Sequence, residues 1–196
     1  MRLWRAPIDT PLGTMIAVAS EAGLCALEFT EDRARGRKAA RLDRLEARLR
    51  RHFPGHAIEE AETPVIAGTR LWLSSYFAGV APASGVPLDQ RGGEFEIRVW
   101  RALLRIPAGE TRSYGSIASA IGAPGAARAV GMANGANPIA IIVPCHRVIG
   151  SSGALTGYGG GLDRKRWLLD HERRWDRQGL FADLSSPCYK SPPLTS

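Results

Sequence analysis

The sequence predicts an α/β protein in two parts: a small mixed α/β part over residues 1–92, and a mostly helical part over residues 93–175 built around a helix-turn-helix. Three observations point there. Short apolar runs separated by Gly- and Pro-containing turns open the chain, a helical period takes over after residue 37, and two short helices flank Ala123-Pro124-Gly125 beyond a Pro/Gly-rich stretch. Residues 176–196, rich in Ser and Pro, read as a disordered tail.

In order, residues 4–6, 15–19 and 24–29 read as strands, with turns at Pro11-Leu12-Gly13 and Glu21-Ala22-Gly23. Over residues 37–53, Ala39, Leu42, Leu45, Leu49 and Phe53 recur at helical steps until Pro54-Gly55 stops the helix. The arginines between them read as a solvated face. A further strand is expected at 57–61, and a helix over 64–78 that starts with Pro in its first turn. Residues 80–93 hold Pro82, Gly85, Pro87, Gly92 and Gly93 and read as the linker, with a short strand at 86–88. His52 and His56 have no partners at metal-ligand spacing, and nothing in this half declares chemistry.

Beyond the linker, Phe95, Val99, Leu103 and Leu104 define one helix face, and Ile117, Ala118 and Ile121 another over 114–122. The second helix of the pair, 126–135, is nearly smooth. Ala126, Ala127, Ala129, Gly131, Ala133 and Gly135 are small, Val130 and Met132 are expected inward, and Arg128 is the one long cation. A base-reading helix presents several Arg, Gln or Asn side chains to the major groove. A smooth helix with one long side chain instead suits the minor groove, with that side chain entering the base stack. Tight packing would explain the alanines but not Arg128.

Pro138 pushes Asn137 out of helical geometry, and residues 139–143 are expected to form a short buried strand stopped by Pro144. Cys145-His146-Arg147 would then stand at a strand end, a thiol beside two potential cations. The following glycine-rich loop, 151–161, offers one aromatic face, Tyr158, and lacks the Lys-Ser/Thr ending of a P-loop. The last helix, 162–173, is expected to bury Trp167, Leu168 and His171 and to return Glu172 as a carboxylate able to orient an imidazole.

Composition narrows the function. No apolar run approaches the ~20 residues that cross a bilayer, and the first residues lack the apolar stretch of a secretory signal, so a cytoplasmic protein without membrane partner is expected. Three cysteines without a C-x-x-C pair argue against a disulfide framework and a zinc site. Cys25 reads as a core residue and Cys188 as a tail thiol, leaving Cys145 as candidate nucleophile. The net charge is +7, and residues 93–175 carry 11 Lys and Arg against 6 Asp and Glu, so the half with Cys145 suits a polyanion. No metal and no cofactor are expected.

Pro144-Cys145-His146-Arg147-Val148, with Arg128-Ala129-Val130-Gly131, Asn137-Pro138, Tyr158-Gly159-Gly160 and Glu172, resembles the O6-alkylguanine-DNA alkyltransferases. The resemblance runs through roughly residues 95–172 and is loose before that. It implies a ribonuclease-H-like N-terminal domain and a C-terminal domain with a winged-helix-like helix-turn-helix on the minor groove. It implies Cys145 as alkyl acceptor, His146 as its water-linked base, Glu172 as the carboxylate holding His146, and Asn137 as a brace. Tyr114 would help to swing out the target nucleotide and polarise the purine, and Arg128 would fill the vacated place, with Ala126, Ala127, Ala129 and Gly131 along the DNA. Tyr158, Gly159, Gly160, Val148 and Asn134 would line the guanine pocket, the Cys145 and Val148 backbone reading the base edge. The implied partner is double-stranded DNA carrying O6-alkylguanine or O4-alkylthymine, bound largely without sequence preference by a monomer, with cooperative binding along DNA open. The transfer would be irreversible, one per molecule. Glu96 stands where the family often has Gln, a change expected to be harmless.

Two other classes fit fewer features. A thiol hydrolase or acyltransferase using Cys145, His146 and Glu172 would turn over repeatedly and ignore DNA. A non-catalytic DNA-binding module would keep all activity in Cys145→Ala.

Overall fold

The computed structural model describes residues 1–31, 39–80, 82 and 85–176. Cys188, the tail from 177, and parts of the expected linker and of the first helical stretch lie outside the described residues.

Strands β1 (Arg2–Ile8), β2 (Met15–Ala19) and β3 (Leu24–Phe29) form an antiparallel meander, and β4 (Ala57–Glu60) joins β1 in parallel. The order across the sheet is β3-β2-β1-β4. Helix α1 (Ala39–His52) lies on one face, where Leu45, Leu49 and the following Phe53 pack on Leu3, Val18, Cys25 and Ala26. Burying each large side chain contributes about 1.5–3 kcal/mol. Cys25 is a core residue, as expected, and burial raises its thiol pKa to about 12.

Helix α2 (Pro64–Phe77) covers the other face, capped by Thr63, whose side chain accepts from the Ile66 N–H at 3.3 Å. The larger apolar cluster starts here and continues without a break into α3 (Glu94–Leu103), α4 (Tyr114–Ala120), α5 (Ala127–Gly135) and α6 (Leu162–Asp176). At the start of α3 the Glu96 carboxylate accepts from the Gly93 N–H at 2.8 Å, so the Glu has a capping role. The Ser113 hydroxyl does the same for Ser116 N at the start of α4. A two-stranded parallel pair, β5 (Arg112–Ser113) and β6 (Val148–Ile149), flanks the helices. The expected fold class, an α/β sheet part followed by a mostly helical part, is what the chain adopts.

What positions the helical half is the exposed edge of β3. Leu24 N donates to Pro87 O at 2.8 Å and Leu24 O accepts from Asp89 N at 2.9 Å, so the expected strand at 86–88 is a single bridge. Gly23 is required beside it: a Cβ there would lie 2.7 Å from the Pro87 carbonyl. Further along, Leu27 N donates to Pro138 O and Leu27 O accepts from Ala140 N, both at 2.9 Å. The sheet edge thus clasps the segment just before Cys145 through the backbone of Leu27.

Three expectations are corrected. Residues 139–143 are not a strand: beyond the bridge at Ile139 the chain folds back on itself, with Ile141 at φ 69°. The Asn137 side chain causes this, because its Nδ2 donates to Ile139 O (3.1 Å) and Val143 O (2.9 Å) while its Oδ1 accepts from Ile139 N (3.1 Å). Two carbonyls four residues apart in the chain are thus drawn to one amide. Met132 points outward at 74 % exposure, since Val130, Ala133 and Asn134 already fill the inner face of α5. Trp167 is 38 % exposed for the same reason: Leu168, Leu169 and Glu172 occupy the buried stripe of α6.

Candidate active site

Cys145, His146 and Arg147 form a single 3₁₀ turn between the Asn137-braced loop and β6. Both Cys145 and His146 are buried. The turn is held on three sides. Asn134 Nδ2 donates to Cys145 O at 3.2 Å from α5. The Lys165 ammonium, wholly buried on α6, donates to Val148 O at 2.6 Å and to Thr156 O at 2.7 Å, joining the turn to the glycine-rich loop. Glu172, one face of α6 further on, takes the side chains of both His146 and Arg147.

Glu172 is a dense node. Its Oε1 accepts from His146 Nε2 and Arg147 Nη2, each at 2.8 Å, and its Oε2 from Arg147 Nε at 2.9 Å and Gly109 N at 3.3 Å. Burial works against the ionised carboxyl, but the His146 N–H and the Arg147 guanidinium outweigh it and hold its pKa well below the usual range. Arg147 also donates to Ile106 O, so it is a half-buried structural cation.

Because Nε2 faces a carboxylate, the hydrogen-bond network assigns it the proton and leaves His146 Nδ1 as an acceptor. Nδ1 is buried and has no hydrogen-bond partner among the described residues. Burial lowers the His146 pKa despite the Glu172 charge, with Arg147 and Lys165 adding to the effect. Burial likewise raises the Cys145 thiol, against opposing pulls from the Asn137 side chain and from Lys165. The resting pair is therefore a thiol and a neutral imidazole. A standing thiolate is not what this environment favours. Burial also lowers Lys165 to about 8.

Cys145 lies in the wall of a cavity of about 110 Å³ that Asn134, Asn137, Tyr158, Gly159 and Gly160 also line, with Glu28, Arg44 and Arg48 at the N-terminal side. A Cβ on Gly160 would lie 2.5 Å from the Tyr158 ring, so glycine there lets the ring lie flat on the loop. Arg164, buried against Phe29, donates to Gly160 O, Leu12 O and Glu31 O and fastens the loop to the sheet half. Val148 is buried behind the cavity rather than in its wall; its N–H donates to Cys145 O and its carbonyl accepts from Lys165.

The remaining sequence candidates lie on the adjoining surface. Tyr114 is half-buried at the start of α4; its hydroxyl accepts from Thr156 Oγ1 at 3.3 Å and its ring lies under Gly131 of α5. Arg128, Ala129 and Met132 face outward from α5, and Ala126, Ala127 and Gly131 are half-buried along it. The C-terminal carbonyls of α5 are capped from outside the helix, by Trp100 Nε1 on Ala133 O and by Arg48 Nη1 on Ala136 O. Among the described residues no group of three His, Cys, Asp or Glu is placed to hold a metal ion. No helix among them is long and apolar enough to cross a membrane.

Lys165 and Tyr76, whose hydroxyl also reaches Glu172, went unread in the sequence. The signal for Lys165 was present: it sits on the stripe 165, 168, 169, 172 of an otherwise solvated helix.

Two family models divide the chain. Residues 4–90 match the 6-O-methylguanine DNA methyltransferase ribonuclease-like domain, and residues 94–174 match the DNA binding domain of the same proteins. The methylated-DNA–protein-cysteine methyltransferase of Salmonella typhimurium is 44 % identical over 174 residues, which are 88 % of this chain and 96 % of that protein. This chain belongs to that family. The Mycolicibacterium paratuberculosis protein of the same name is 69 % identical over 108 residues, but the match spans only 55 % of this chain and 66 % of that one. Among solved structures, the Mycobacterium tuberculosis O6-methylguanine methyltransferase is 45 % identical with a TM-score of 0.70, covering 93 % of this chain and 98 % of its own. A structure of the M. tuberculosis protein in complex with DNA is similar at 46 % identity and a TM-score of 0.68, covering 89 % of this chain and 94 % of that one.

Proposed function

We propose that the chain repairs alkylated DNA by direct reversal, moving the alkyl group of O6-alkylguanine, and of O4-alkylthymine, onto Cys145. The observation that carries this reading is the buried Cys145 thiol in the cavity wall, next in sequence to an imidazole whose only partnered nitrogen is held by a buried carboxylate. Family membership and the likeness to a DNA-bound relative support DNA as the partner.

In this mechanism the smooth face of α5 enters the minor groove of double-stranded DNA, largely without regard to sequence. The damaged nucleotide swings out, at a cost of a few kcal/mol, and Arg128 takes its place in the stack. The base enters beside Tyr158 and the glycines. The Cys145 proton passes through one water to His146 Nδ1, and Glu172 steadies the imidazolium that forms. Sulfur attacks the alkyl carbon, a C–S bond forms and the C–O6 bond breaks, with charge on the leaving guanine offset by the Tyr114 hydroxyl and the Gly159 N–H. The product is a thioether, whose C–S bond water does not readily cleave, so each molecule acts once; the chain acts as a monomer.

The test is incubation with duplex DNA containing O6-methylguanine, followed by mass analysis of the Cys145 peptide. One methyl on Cys145, and none transferred by Cys145→Ala, is expected. Multiple turnover on small esters with indifference to DNA would replace this reading with a thiol hydrolase.

A further inference from the structure

The Glu172 carboxylate receives one donor from outside the helical half. Tyr76, on α2 of the sheet half and 96 residues earlier in the chain, donates its hydroxyl to Glu172 Oε1 at 2.8 Å. That oxygen is the one that already accepts from His146 Nε2 and Arg147 Nη2. Three donors on one carboxylate oxygen exceed its two lone pairs, so they compete for the same electron density.

The phenol is fixed independently of Glu172. Its ring is wholly buried, stacked on Trp72 at 5.4 Å and met edge-on by Trp175 at 4.8 Å. Its backbone carbonyl is bridged to His171 Nε2 at 2.8 Å, one residue before Glu172 itself. The ring therefore cannot turn away to leave Oε1 to its other donors. Burial and the facing Glu172 charge push the Tyr76 pKa well above 10, so the group stays a donor at any pH at which the protein would act.

We propose that Tyr76 is a positioning residue for alkyl transfer: its O–H holds Glu172 Oε1 in place and limits how strongly that oxygen draws on the His146 N–H. The sheet half is then part of the proton relay as well as a scaffold. A carboxylate relieved of one donor binds the imidazolium more tightly, which makes His146 hold a proton to higher pH and leaves less of it free to accept one from Cys145. The proposal rests on the relay reading of His146 and Glu172 given above.

The test uses the full chain and Tyr76→Phe, which keeps the ring and removes only the donor. The rate of Cys145 modification is followed from pH 5 to 8 with two probes, O6-methylguanine duplex DNA and iodoacetamide, reading the Cys145 peptide by mass. The acid limb is expected to move up by about one pH unit with both probes, a tenfold slower reaction at pH values below the midpoint. Leu73→Ala, which opens a cavity under α2 and keeps the Trp72 and Trp175 contacts of the ring, should lower the urea midpoint and leave the limb where it is. Tyr76→Phe with an unmoved acid limb, whatever its stability, would overturn the proposal. Should Tyr76→Phe not fold, a fluorinated tyrosine placed at position 76, a stronger donor of nearly the same shape, must move the limb down, and failure to do so is equally fatal. If the iodoacetamide limb shifts while the wild-type chain takes no methyl from DNA, the relay stands and the repair reading falls.

Discussion

Glu172→Gln changes one atom of a buried side chain and removes the charge that balances Arg147. The carboxylate is wholly buried and Arg147 is 12 % exposed, so solvent can do little to compensate. In the variant the amide NH₂ faces either Arg147 Nε and the Gly109 N–H or Arg147 Nη2 and the His146 N–H, donor against donor both ways, and the guanidinium loses its counter-charge. Removing one partner of such a pair costs about 3–5 kcal/mol. With a urea dependence of about 1–3 kcal/mol per molar for a domain of this size, the midpoint should fall by about 2 M. Arg147→Met in the same background removes the stranded cation, so the double variant should be less destabilised than the sum of the single variants by about 1–3 kcal/mol. Equilibrium urea unfolding of the four proteins, followed by tryptophan fluorescence, closes the cycle. A loss below about 1 kcal/mol for Glu172→Gln, or strict additivity, would refute the reasoning that this node is an electrostatic unit.

Other outcomes follow from the same geometry. Asn137→Ala removes three hydrogen bonds that hold the fold-back before Cys145. It should cost about 2–3 kcal/mol in urea unfolding and slow iodoacetamide modification of Cys145, because the amide that draws the fold-back together and pulls the thiol pKa down is lost. Arg128→Ala, on an exposed position, should change stability by less than about 0.5 kcal/mol, yet slow methyl transfer from duplex DNA more than from single strands, where no gap is left to fill. Stability should fall with acid in two steps set by groups with depressed folded-state pKa values. Protons bind the unfolded His146 below its ordinary 6.5 and the unfolded Glu172 below its ordinary 4.5, while the folded groups resist them. Glu172→Gln should abolish the lower step in a urea-midpoint series against pH.

Much of this fold was readable because its signals are local. The short apolar runs at 15–19 and 24–29, the leucine period of α1, and Pro64 in the first turn of α2 each need only a few neighbouring residues to be recognised. The run Ile139-Ala140-Ile141-Ile142-Val143 misled because a short β-branched stretch looks the same whether it pairs in a ladder or plugs a core from a turn. The deciding agent was one side-chain amide two residues upstream. Met132 and Trp167 were misplaced against a period that, followed strictly, puts both outward. Lys165 sat on the inward stripe, but lysines are rarely buried, and the two backbone carbonyls that take its ammonium are visible only in the fold. Tyr76 carried no local signal, since its partner lies 96 residues away and only the packing of α2 on α6 brings them together.

The site triad Cys145, His146 and Glu172 was legible as residues, and the structure alone supplied its electrostatic state. The thiol and imidazole are both neutral at rest, and both are pushed there by burial.

The central claim is tested most directly by counting methyl groups. The protein is mixed with a large molar excess of duplex DNA carrying O6-methylguanine, and the intact mass and the Cys145 peptide are measured over time. The expected result is a rise to one methyl per protein, all of it on Cys145, and then no further loss of methyl from the DNA. Methyl loss continuing past one equivalent, or a methyl found on Cys25 or Cys188 with Cys145 unchanged, would contradict it.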